Sequence, residues 1–315
     1  MQKTGRHNTI CHFGIIVAVM FIVACNKTED IHPETEPTIG FGVDMPTYTP
    51  KTKSTRTMIT SVEQLRNSGF SVWGGNEDNV TLFDGRIVYW VEEEHQGWTY
   101  DNPEIWTYDN YNFSAVFPTT INATYTLPNT LTIEDYSVNE HPYIDLLMAA
   151  ASNHAYPNDG STVRLHFNHA LTAVNFVFKL KEGFSYVNTY KVTGVRWSNI
   201  YTQGRFTLNS DNTITPSTTG NTGATNTITA FTGTTFTATS VMESEFQFVI
   251  PQERTNATLT FTIEINGESK EITKNIAVKW EAGRRYTYSI TLDPFEITVE
   301  TTPWEIPSME EIIIQ

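Results

Sequence analysis

Few side chains in this sequence stand where chemistry would need them. His166 and His169 are the closest pair of histidines, and imidazole is a common zinc ligand. They fall around a strand end, where residues three apart point to opposite faces, so their spacing does not make a metal pair. Asp101 and Glu104 flank Pro103, and Asn76-Glu77-Asp78-Asn79 is equally rich in oxygen. Such stretches can hold calcium, but solvated loops are the plainer reading of both. Glu92-Glu93-Glu94 reads as a solvated edge or turn. No G-x-S-x-G elbow, phosphate loop or H-E-x-x-H helix occurs, and no carboxylate pair for glycoside cleavage can be singled out. Trp73, Trp90, Trp98 and Trp106 cluster in the first half. Exposed together they would form a sugar platform; at strand positions they are core. The expectation is a protein without catalytic residues, metal or cofactor.

One thiol does stand in a meaningful place. Cys25 follows Phe13 through Ala24, an uncharged and almost wholly apolar run, with Lys3 and Arg6 ahead of it. A basic start, a short apolar core and a small residue before the cut make an export signal. The run is too short for a spanning helix, which needs about 20 apolar residues. Ile22-Val23-Ala24-Cys25 resembles the bacterial lipobox, with Ile22 where leucine is usual. That resemblance implies that Cys25 is lipidated and begins the mature chain.

Composition narrows the class. A chain of 315 residues suggests two domains at about 150 residues each. The formal net charge is −15, and removing residues 1–24 takes away Lys3 and Arg6 but no acid. An acidic mature chain argues against nucleic-acid binding, which needs a basic footprint. Cys11 leaves with the signal and Cys25 is consumed by lipid, so the two cysteines supply the mature fold with no disulfide. Stability must come from packed apolar surface, for which the 12% aromatic content is well suited.

The elements that would position any site are strands. Residues 25–37 form a polar, acidic tether with Pro33 and Pro37. Ile39, Phe41 and Val43 alternate with Gly40 and Gly42 as a short strand. Residues 46–57 are polar and basic, an exposed loop. Ser61 to Ser68 offers one or two helical turns, with Ser61 as N-cap, Gln64 three residues on and Gly69 as the stop. Phe70 to Trp73 alternates and ends at Gly74-Gly75; Val80 and Leu82 face Ile87 to Val91 across an Asp84-Gly85 turn. Ile105 to Tyr108 and Phe113 to Phe117 follow as strands. Leu146 to Ala151 is the one run that suits a buried helical turn. Asn158-Asp159-Gly160 breaks the chain, which places a domain boundary there.

Beyond it Val163, Leu165 and Phe167 alternate, as do Val174, Phe176, Phe178 and Leu180. Residues 209–240 are rich in Ser, Thr, Asn and Gly: either strands with long loops or a surface flap. Leu259, Phe261, Ile263 and Ile265 lead into Asn266-Gly267, the strongest hairpin signal in the chain. Tyr286, Tyr288 and Ile290 alternate, then Phe295, Ile297 and Val299. Many short strands at 8–12 residue spacing predict β-sandwiches. The expected fold is all-β, two sandwiches in tandem over residues 38–158 and 159–315.

Several stretches together resemble the fimbrillin family of Bacteroidales, in its Mfa-like branch of lipoprotein pilins. They are the lipobox at Cys25, the Ile39–Val43 strand, Thr55-Arg56-Thr57, Phe70-Ser71-Val72-Trp73, Asp145 to Ala150, Val163 to Leu171, Ala282 to Tyr288 and Trp304. Their order and spacing carry the resemblance, and it covers nearly the whole mature chain. A long Thr-rich insertion after Leu208 departs from the usual pattern.

What the resemblance implies is a pair of transthyretin-like sandwiches on a lipid anchor at the outer membrane surface. It further implies proteolysis after an arginine in an early loop, best matched by Arg56. The first strand, with Ile39, Phe41 and Val43, then leaves, and a neighbour's strand fills its groove by β-augmentation. Phe295, Ile297, Val299, Ile312 and Ile314 are the donor candidates; the alternative for them is that they complete the second sandwich. The expected partners are other fimbrial subunits, the lipid anchor, and host or bacterial glycans or proteins at the surface, with no nucleic acid. The expected role is a structural or adhesive subunit of a surface fimbria. Its alternatives are a glycan-binding surface lipoprotein with exposed aromatics and, more weakly supported, a surface hydrolase.

Overall fold

The computed structural model describes residues 36–46, 58–92, 97–107, 109–141, 143–181, 190–218, 226–236, 242–292 and 297–304. The chain is all-β; among the described residues there is one short helix, α1 (Val62–Arg66). The first strands are β1 (Gly40–Asp44), β2 (Phe70–Asn76), β3 (Thr81–Val91), β4 (Gly97–Thr99), β5 (Asn110–Phe117), β6 (Thr124–Thr126) and β7 (Thr130–Ser137). Then come β8 (Leu147–Ala155), β9 (Thr162–His166), β10 (Asn168–His169), β11 (Thr172–Leu180), β12 (Tyr190–Ile200), β13 (Gln203–Leu208) and β14 (Ile214–Ser217). The last are β15 (Asn226–Phe236), β16 (Met242–Glu243), β17 (Gln247–Val249), β18 (Gln252–Ile265), β19 (Glu268–Trp280), β20 (Arg285–Leu292) and β21 (Ile297–Trp304).

Among the described residues, five sheets enclose three apolar cores. A six-stranded sheet runs β10-β8-β5-β2-β3-β4. One face of it packs with the parallel β1–β9 pair around Phe70, Phe83, Phe113 and Leu165. Its other face packs against the β14-β13-β7-β6 sheet around Trp73, Val116, Met148 and Phe206. The third core lies between the β16-β11-β20-β21 and β15-β12-β18-β19 sheets, around Phe176, Trp197, Phe261 and Tyr288. Alternation shows there in the side chains that enter the core: Val174, Phe176 and Phe178 of β11 all do, while Ala173 just before them faces the core of Trp73 and Phe206.

Where a sheet is covered on both faces the alternation fails. β2 is buried from Phe70 through Gly75, and β5 from Tyr111 through Phe117. β2 therefore does not end at the glycines. They lie inside it because a Cβ on Gly75 would sit 2.3 Å from the Val80 carbonyl oxygen, and one on Gly74 2.7 Å from that of Asn112. The same double burial explains Leu146 to Ala151, expected as a helical turn: Leu147 to Ala151 lie in β8, paired with β5 and β10, and Leu146 directly precedes it. Asp84-Gly85 is not the hairpin turn either. β3 runs straight through it, with Val72 opposite Arg86 and Gly74 opposite Phe83, so the two residues bulge opposite Trp73. The turn is Asn76–Val80, where Asn79 has φ 62 and the Val80 amide donates to Asn76 Oδ1 at 3.0 Å. Ile105 to Thr107 is not a strand, and Tyr108 lies outside the described residues; Ile105 makes a single bridge to Thr38.

Some other expectations hold and some are modified. Asn266 and Gly267, at φ 52 and 88, turn the β18–β19 hairpin. Residues 209–240 contain strands, β14 and β15. Helix α1 follows an extended Ser61 that makes no side-chain cap; Gln64 Oε1 instead accepts from the Thr60 amide at 2.6 Å. Pairing also crosses residue 158: β9 joins β1, β10 joins β8, and β13 joins β7.

Candidate functional site

The site is β1 and the groove that holds it. Its period-2 pattern divides the strand cleanly. Ile39 and Phe41 point into the core, 1% and 5% exposed, with Val43 half-buried beside them. Phe41 meets Phe83 and Phe113 edge-on, with ring centroids 5.5 and 5.6 Å away, and Tyr100 at 5.7 Å. The outer face carries Gly40 and Gly42 opposite Thr162 and Arg164. A Cβ on Gly42 would approach Thr162 Cγ2 to 3.3 Å, so the strand lies close against its neighbour. A shallow groove of about 510 Å³ runs over this face between Gly42 and the Asp159–Thr162 turn.

Backbone bonds hold β1 at both ends. The Gly40 amide donates to Ser161 O at 2.9 Å, and the Phe167 amide to Asp44 O at 2.9 Å. On the other side the Ile39 amide donates to Glu104 O at 2.8 Å, and the Trp106 amide to Pro37 O at 2.9 Å. The buried Tyr100 hydroxyl donates to Ile39 O at 2.7 Å. Glu104 is itself fixed by Arg86 at 2.9 Å. At the exit, the Asp44 carboxylate meets His166 Nδ1, an exposed pair of the kind worth little. The hold is thus mostly two buried side chains, each contributing about 1.5–3 kcal/mol.

Other chemistry-capable residues are engaged structurally. His166 and His169 each face a different carboxylate, Asp44 and Asp145. Asp101 accepts from Tyr89, whose phenol this bond pushes up. Trp73 and Trp106 are buried core residues, and Trp90 packs edge-on to Trp98 under Arg66. These four rings form no open platform. Ile297 and Val299 lie in β21, paired with Leu292 and Ile290 of β20 at the edge of their sheet. Cys25, Arg56, Phe295, Ile312 and Ile314 lie outside the described residues. Neither β9 as the partner of β1 nor the Tyr100, Phe83 and Phe113 pocket was visible in the sequence; an alternating strand shows that it has a buried face but not what covers it.

The sequence matches a family model described as fimbrillin-like over residues 55–304. Among solved structures the fold is similar to a fimbrial protein from Bacteroides vulgatus, at 17% identity and TM-score 0.61, covering 85% of this chain and 98% of that one. It is also similar to a proposed cell adhesion protein from Bacteroides uniformis, at 21% identity and TM-score 0.53, covering 75% and 91%. A third, from Bacteroides ovatus and of the same description, has 18% identity and TM-score 0.52, covering 85% and 96%. At these identities the likeness is one of fold. No curated protein matches the sequence.

Proposed function

We propose, from the premise that this chain belongs to the fimbrillin-like family, that it is a surface fimbrial subunit that assembles by strand exchange. The observation that carries the reading is β1. It is a five-residue strand that pairs in parallel with β9, and Phe41 within it and Ile39 just ahead of it fill the core. The chain that leaves it, residues 47–57, contains Arg56. A cut there leaves β1 held noncovalently, and a strand with similar side chains can replace it because the backbone bonds are the same for either. The donor is the C-terminal segment; Ile297 and Val299 are paired with β20 in this chain's own sheet, so of the candidates Phe295, Ile297, Val299, Ile312 and Ile314 the part after Ser308, with Ile312 and Ile314, is the one that can leave without opening that sheet. Lipid on Cys25 tethers the subunit to the outer membrane before the cut. The chain is organised as two transthyretin-like sandwiches, 38–158 and 159–315, with β9, β10, β13 and β14 reaching back into the first. No catalytic step is part of this role.

Two changes test the reading. Arg56→Ala should leave β1 in place after arginine-specific proteolysis. Deleting residues 308–315 should leave the monomer folded and stop growth. Polymerisation of the truncated chain at the rate of the intact one would remove the tail after Ser308 as donor. Cys25→Ser should abolish lipid labelling; undiminished labelling would remove the anchor.

A further inference from the structure

The chain resumes after residues 47–57 at Met58, and its next three residues are each seized by a different element. Met58 is buried at 5% exposure in the core shared by the six-stranded sheet and the β14-β13-β7-β6 sheet, where Arg285 of β20 donates to its sulfur. The Ile59 amide donates to Asp145 Oδ2 at 3.1 Å. The Thr60 amide and hydroxyl both donate to Gln64 Oε1 of α1, at 2.6 and 2.9 Å. Asp145 is the unusual member. Its side chain is fully buried just before β8, and the same Oδ2 also meets His169 Nδ1 at 2.9 Å. A buried carboxylate accepting an amide is a strong, charge-assisted contact, roughly twice as strong as a neutral one.

The two sides of the 47–57 segment are therefore held in different ways. Upstream, β1 is joined to the body by side chains in a groove and by an edge of backbone bonds. Downstream, the Met58–Thr60 segment is locked by polar side chains: the buried Arg285 and Asp145 and the half-buried Gln64. We propose that Asp145 is a positioning residue that fixes the end of the processed chain: by seating Ile59 it stops proteolytic trimming at Met58 and keeps α1 from fraying. This rests on the reading that the 47–57 segment is cut. It gives one residue a role that the strand-exchange account leaves unassigned, because a cut that frees β1 must not also unravel the wall of the core behind it.

The test uses the purified full chain and two variants. Asp145→Asn keeps a carbonyl acceptor for the Ile59 amide, and Asp145→Ala removes it. Each is treated with trypsin and then with an aminopeptidase, and the limit fragment is weighed by mass spectrometry. The wild type and Asp145→Asn should stop at Thr57 or Met58, whereas Asp145→Ala should be trimmed past Thr60 into α1. A fragment of Asp145→Ala that stops at the same residue, with an unchanged circular dichroism spectrum, overturns the proposal. A second arm needs no variant and no cut: exchange of the Ile59 amide in the intact wild-type chain should be slowed by about 100-fold or more against an unstructured peptide. Exchange at the free rate would overturn the proposal even if Asp145→Ala does not fold. If trypsin makes no cut within residues 47–57, the processing account fails, while the exchange arm still decides whether Asp145 holds Ile59.

Discussion

Phe41→Ala tests how β1 is held. Phe41 is 5% exposed and lies edge-on to Phe83 and Phe113 at 5.5 and 5.6 Å. Replacing a buried Phe by Ala costs about 3–5 kcal/mol, through lost transfer energy and the cavity left behind. While the chain is intact, the change lowers overall stability, because β1 remains tethered. Once the chain is cut between β1 and Met58, the same loss weakens a noncovalent complex. It should appear mainly as faster dissociation. At about 1.4 kcal/mol for each power of ten, release should accelerate by about two to nearly four orders of magnitude. The assay follows replacement of β1 by a labelled peptide spanning residues 36–46, added in excess to the cut protein. Thr38→Ala, at an exposed position, is the control and should change the rate little. If cut Phe41→Ala retains its strand as long as the wild type, with the fold intact, β1 is not held by its pocket.

Glycine substitutions should separate space from backbone strain. Gly75→Ala, whose Cβ would lie 2.3 Å from Val80 O, should cost at least about 1–3 kcal/mol as overpacking. Gly267→Ala has open space but φ 88 and should cost only about 1–2 kcal/mol; thermal melts of the two variants check the order. Asn129, 1% exposed, accepts from Ser114 Oγ at 2.7 Å and donates to Ser152 Oγ at 2.6 Å. Asn129→Ala should lower stability in urea by about 1–3 kcal/mol, because it strands a buried hydroxyl. Burial pushes the phenols of Tyr288 and Tyr136 up, with the Asp145 carboxylate adding to the effect at Tyr136. Unfolded tyrosine ionises near about 10, so their contribution is complete below that pH and falls as pH rises from there toward the folded values. Ultraviolet titration should show these two ionising only as the protein unfolds; normal titration in the folded state would refute their burial.

Legibility followed burial. Strands whose apolar residues alternate with polar or smaller ones could be read: β11 through Val174, Phe176 and Phe178, and the β18–β19 hairpin through Asn266-Gly267. In the six-stranded sheet β2, β3 and β5 were visible, but the full extent of β2 and the nature of β8 were not, because cores on both faces remove the polar half of the pattern. That is why β2 was expected to stop at Gly74 and β8 was expected as a helical turn; a short apolar run is ambiguous between the two states. Gly85 misled for a related reason, since φ 68 serves a bulge as well as a turn. Of the site, Ile39, Phe41 and Val43 were visible as one buried face. Their partner β9 was not, because parallel pairing links segments far apart in the chain and leaves no turn to mark it. Asp145 was invisible as an anchor, since a carboxylate's burial depends on neighbours such as Ile59 and His169 that come together only in the fold.

The central claim is that cutting the early loop converts a closed monomer into one that polymerises. The direct measurement is arginine-specific proteolysis of the mature chain without its lipid, followed by size separation and N-terminal sequencing of each species. The account predicts a new N-terminus at Thr57, loss of the peptide carrying Ile39, Phe41 and Val43, and growth of the remaining chain into long oligomers. A chain cut at Arg56 that keeps this peptide and stays monomeric at high concentration would contradict it.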